Sequence, residues 1–160
     1  MKIERVFKVT AADCRSCLTV YGNTPPEVKN FLALQYSTAN WTLSENTVIP
    51  NSGIFVFREL SDVAVFYSKN PQAVSAGLVC WEAKAFGLRK KKTFVVLNSC
   101  VTIDSLKSFW ASVLHRFGFE RTKQNFYLAD GVKLRRIVTV PPPHLHWPRS
   151  LQHGRNLSHH

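Results

Sequence analysis

Carboxylates are scarce in this chain: ten Asp and Glu stand against 21 Lys and Arg in 160 residues. Chemistry built on paired carboxylates therefore has few candidates, and among Glu59, Asp62 and Glu82, those nearest the expected strands, nothing selects a pair. Long apolar runs are missing too. No stretch approaches the roughly 18 residues of a membrane-crossing helix. The charged, alternating start Met1-Lys2-Ile3-Glu4-Arg5-Val6-Phe7 has no apolar stretch behind it, so a secretory leader is not expected and a cytoplasmic location is. Four cysteines are too few for a disulfide framework. No phosphate-binding glycine loop, nucleophile elbow or zincin helix occurs, and neither a cofactor nor a resident metal is expected.

Positive charge is what the chain has in excess. The net charge is +11, and its distribution is uneven. Residues 1–83 hold seven Lys or Arg against seven Asp or Glu, whereas residues 84–160 hold fourteen against three. The second segment therefore carries the whole excess, which points to an anionic partner or, more simply, to a solvated face that keeps the protein in solution.

The pattern along the chain predicts a mixed α+β domain over residues 1–140, its sheet mostly antiparallel and packed with two main helices, followed by a flexible Pro/His-rich basic tail over 141–160. Alternation from Ile3 to Val9 reads as a strand, and Gly53 launches another, Ile54-Phe55-Val56-Phe57. Trp41 to Pro50 reads as a loop. Ser61-Asp62 offers a cap to a helix stopped by Asn70-Pro71, and Ala76 to Phe86 reads as a strand ended by Gly87. Thr93 to Val101 is a further strand. Apolar residues from Leu106 to Phe117 mark a helix. Asp130-Gly131, between the apolar runs Phe126–Ala129 and Val132–Val140, predicts a tight hairpin turn.

Among candidate sites, Cys14-Arg15-Ser16-Cys17 has a spacing used by metal and redox centres, but Cys80 and Cys100 supply no second close pair. The stronger candidate is a polyanion-binding surface made of Lys84, Arg89, Lys90, Lys91, Lys92, Arg116, Arg121, Lys123, Arg135 and Arg136, with Lys107 and Lys133 nearby. Such side chains neutralise phosphates irrespective of sequence, and Trp110, Phe126 and Tyr127 are available for base stacking or for the core. The expected partner is nucleic acid or another polyanion. A protein partner reached through an exposed strand edge is a further possibility, and no membrane partner is expected.

Leu34-Gln35-Tyr36, Trp41-Thr42, Gly53 to Phe66, and Val79-Cys80-Trp81-Glu82-Ala83-Lys84-Ala85-Phe86-Gly87-Leu88 together resemble a family of short phage and bacterial proteins. That resemblance spans about residues 3–100 and implies a fold and a phage or host-cell accessory protein, acting in the host cytoplasm if phage-encoded. It carries no activity with it. The layout is similar, more distantly, to ADP-ribosyltransferase-like folds, which implies a dinucleotide site with Arg5 as the first-strand arginine and Tyr67 as the aromatic after the strand-to-helix unit. Those folds use a late Glu-x-Glu pair, which this chain lacks.

Overall fold

The computed structural model describes residues 1–17, 26, 34–46, 52–90 and 127–141. The sequence readings for the strand 93–101, the helix 106–117 and the basic tail beyond residue 141 fall outside the described residues. Within them the chain is α+β and mostly antiparallel sheet. Strands β1 (Ile3–Thr10), β2 (Thr42–Leu43) and β3 (Ile54–Val56) precede helices α1 (Leu60–Lys69) and α2 (Pro71–Ser75). Strands β4 (Val79–Phe86), β5 (Arg89–Lys90), β6 (Tyr127–Ala129) and β7 (Gly131–Val138) follow. One sheet has the order β1-β4-β7-β2 and the other β3-β6-β5.

The two sheets are joined by chain continuity. Lys90 pairs with Tyr127 and Arg89 with Leu128 in one sheet, and Phe86 pairs with Gly131 and Ala85 with Val132 in the other. These pairs share one register, so β4–β5 and β6–β7 form a single antiparallel ribbon that turns a corner at Gly87 and Asp130. The ribbon's sheets also meet at the opposite side, where Phe7 and Phe57 exchange two backbone hydrogen bonds of 2.7 and 2.9 Å. The strands therefore close into a ring: β1, β4–β5, β6–β7, β3 and back to β1.

Alternation along the strands sends one set of side chains into the ring and the other outward. Val6, Ile54, Val56, Ala83, Ala85, Ala129, Val132 and Leu134, with Tyr36, form the enclosed cluster. The alanines on the central strand keep this small interior from overfilling. On the outer face Phe7, Val9, Phe57 and Cys80 pack against Val63 and Phe66 of α1. The Phe57 and Phe66 rings lie 5.6 Å apart, and burying a side chain of this size stabilises by about 1.5–3 kcal/mol. No helix among the described residues is long and apolar enough to cross a membrane.

Three expectations need correction. The Asp130-Gly131 hairpin does not form: β6 pairs with β3 and β5, and β7 with β4 and β2. The favoured two-residue turn needs positive φ at both central residues, and neither Asp130 nor Gly131 has it. Gly131 serves another purpose, since a Cβ there would collide with the Phe86 ring. Next, the helix stopped by Asn70-Pro71 does end there, with Asn70 closing α1 and Pro71 in the first turn of α2, where a missing N–H costs nothing, but its start differs from the expected cap. The cap of α1 is Glu59, without a side-chain hydrogen bond, and Ser61 and Asp62 lie inside the helix. Finally, the expected loop after Trp41 contains β2, whose Thr42 and Leu43 pair with Val132 and Gly131.

Candidate polyanion-binding face

Three neighbouring strands, β1, β4 and β7, set the outer face beside α1. Their register places Arg5 opposite Lys84 and Lys84 opposite Lys133, a row of three cations across the sheet. One step along, Phe7 stands opposite Glu82 and Glu82 opposite Arg136. The ladder shifts by one residue between Glu82 and Ala83. In a regular strand Arg135 and Arg136, adjacent in sequence, would point to opposite faces; a bulge re-aims one of them. Both reach the Glu82 carboxylate.

The geometry there is a carboxylate beneath three guanidinium groups. Arg136 donates to Glu82 Oε1 from Nη2 at 3.0 Å and from Nε at 3.3 Å. Arg5 Nε stands 3.5 Å from Oε1, and Arg135 Nη1 stands 3.9 Å from Oε2. Glu82 is buried, and the three arginines are exposed. The hydrogen bond from Arg136, aided by the charges of Arg136, Arg5 and Arg135, holds the Glu82 carboxyl below its ordinary range. Arg5 also lies over the Phe7 ring, 5.1 Å from its centre, which anchors its stem at the edge of the apolar cluster. With Lys84 and Lys133 in the adjoining row, this face carries five cations and one anion.

Of the residues expected from sequence, Lys84, Arg135 and Arg136 come together here, joined by Lys133 and by Arg5. Arg89 does not join them. Its Nη1 bonds Asp130 Oδ1 at 2.7 Å and the Gly87 carbonyl at 3.1 Å, so it braces the corner. Lys90 belongs to β5 opposite Tyr127. Lys91, Lys92, Arg116, Arg121 and Lys123 lie outside the described residues. Arg5, the first residue of the expected dinucleotide site, meets Glu82. Tyr67, the second, packs on α1 against the outer apolar cluster, and burial raises its phenol pKa.

Cys14 and Cys17 part company. Cys14, with a φ of 66°, packs against the enclosed cluster, and Cys17 packs against the outer one. Burial raises the Cys17 thiol pKa, the wrong direction for a reactive thiolate. Among the described residues no group of three or more His, Cys, Asp or Glu is placed to hold a metal ion.

Sequence reasoning missed the role of Glu82, which it weighed only as a possible catalytic carboxylate. The signal was present: Glu82 and Lys84 alternate with Ala83 and so share a face. The sequence matches no family model, and no curated protein or solved structure shows significant similarity to it.

Proposed function

We propose that this protein acts by binding a polyanion, nucleic acid in the first place, through the face formed by Arg5, Lys84, Lys133, Arg135 and Arg136. One observation carries the reading: three arginines from β1 and β7 converge on a single β4 carboxylate, with Lys84 and Lys133 in the adjoining row of the same face. A buried Glu needs a partner, and one arginine would satisfy it. The surplus is a local field of about four positive charges, suited to the evenly spaced phosphates of a nucleic-acid backbone.

Fluorescence polarisation with labelled duplex DNA tests it. Neutralising about four phosphates gives a slope of log K against log salt near −3.6, so affinity falls about 150-fold between 50 and 200 mM salt. Replacing Lys84, Arg135 and Arg136 together by Gln lowers affinity at 50 mM salt more than tenfold and makes the slope shallower by about three. Binding that is indifferent to salt, or undiminished in the triple variant, overturns the assignment of this face.

A further inference from the structure

Glu82 forms the floor of the basic face. Its side chain is 8% exposed, whereas those of Arg5, Arg135 and Arg136 are 67%, 55% and 71% exposed. We propose that Glu82 sets these three arginines as a seat for one phosphate group of a nucleic-acid backbone, so that a carboxylate strengthens the binding of an anion. The inference rests on the reading of the face given above and names the residue that organises it.

Three observations lead there. First, the stoichiometry exceeds what the sheet requires, because three guanidinium groups on one carboxylate leave two positive charges uncompensated at the solvent side. Second, the bulge between Glu82 and Ala83 brings Arg135 and Arg136 to the same carboxylate, which a regular ladder would prevent. Third, the anchoring differs from one arginine to the next. Arg136 uses two nitrogens on Oε1, Arg5 approaches the same oxygen along Nε while resting on Phe7, and Arg135 stands nearest the other oxygen, Oε2, at 3.9 Å.

Three like charges this close repel, and long side chains lose freedom when a ligand orders them. Glu82 offsets both effects before the ligand arrives. A phosphate group presents several acceptor oxygens, and guanidinium forks meet such oxygens in pairs. Lysines of the same face, Lys84 above all, contribute charge without this fixed geometry.

The experiment is a comparison of Glu82→Gln with the unaltered full chain on a labelled duplex DNA of about 20 base pairs, with thermal unfolding followed in parallel. Simple electrostatics predicts tighter binding by Glu82→Gln, because a negative charge is gone. A seat predicts the opposite sign: affinity falls about tenfold while the salt slope stays the same, since every cation remains. Equal or tighter binding by a folded Glu82→Gln overturns the seat and leaves the basic face intact.

If Glu82→Gln does not fold, Arg135→Gln and Lys84→Gln decide the matter, each removing one exposed cation from the same face. The seat requires Arg135→Gln to lose about tenfold more affinity than Lys84→Gln, whereas equal losses refute it. Absence of duplex binding by the unaltered chain at 50 mM salt overturns the reading of the face, and the seat falls with it.

Discussion

Lys8 is a lysine held in the interior of the fold. It sits on β1 between Val6 and Thr10, on the side that faces into the ring, and is 4% exposed. Its Nζ donates to the Phe55 carbonyl at 2.9 Å and lies 4.8 Å from the centre of the Tyr36 ring. Burial lowers its pKa from 10.5 to about 8, with the nearby Cys17 pulling weakly the other way. Between those two values the unfolded chain keeps a proton that the folded chain has released, so this lysine makes stability rise with pH. Below pH 8 both states are protonated and the full penalty applies, about 3 kcal/mol by the size of the shift. Cys17, Cys80, Tyr36 and Tyr67 are all shifted upward by burial and act in the opposite sense over the same range. The informative quantity is therefore a difference. Urea unfolding of the protein and of Lys8→Met from pH 7.5 to 10.5 should show the parent gaining about 3 kcal/mol relative to the variant. Parallel pH profiles would refute a charged Lys8 in the interior.

At the scale of elements, the corner of the long ribbon shows where local pattern stops being informative. Alternation revealed β1 and β4, because each has one face on a core and one on solvent or helix, and the Gly53 strand was legible from its β-branched and aromatic run. The Asp130-Gly131 pair carries the local signature of a turn, yet its neighbours decide otherwise. Asp130 accepts from Arg89, donates its N–H to the Phe86 carbonyl, and receives the Ser44 N–H on its own carbonyl. Gly87, with a φ of 68°, leaves the space that the Asp130 side chain fills. None of these partners is close in sequence to residue 130. Gly131→Ala separates the two accounts. Overpacking against Phe86 should cost about 1–3 kcal/mol, or about 2–4 °C in Tm per kcal/mol at this chain length. A second substitution, Phe86→Leu, removes the ring edge, so the cost of Gly131→Ala should shrink by more than half in that background. An unchanged cost would mean that backbone conformation, as in a turn, makes this position need glycine.

The candidate face was half legible for the same reason. Lys84 and the arginine pair stand out as charges, but a strand pattern alone assigns Arg135 and Arg136 to opposite faces, and only the ladder shift unites them. Arg5 lies about 80 residues earlier in the neutral segment of the chain, and pairing of β1 with β4 brings it across. Ring closure was not legible at all, since it joins residues about fifty positions apart: the Phe7–Phe57 bridge, with the Lys8–Phe55 and Arg58–Glu4 side-chain bonds beside it. That bridge is the seam of the ring among the described residues. Closing it early would cost chain entropy with two backbone hydrogen bonds in return, so burial around it contributes to holding it. Phe7 and Phe57 are 6% and 3% exposed, and both belong to the cluster under α1. A seam sealed in this way opens only when the helix leaves the sheet. Native-state hydrogen exchange should therefore give the Phe7 and Phe57 amides the same opening free energy as the Ala85 amide of the central strand, that of global unfolding. If the seam amides exchange through a cheaper opening while Ala85 stays protected, the ring is two sheets joined by a loose contact. The basic face, built on β1, β4 and β7 alone, would then persist without closure.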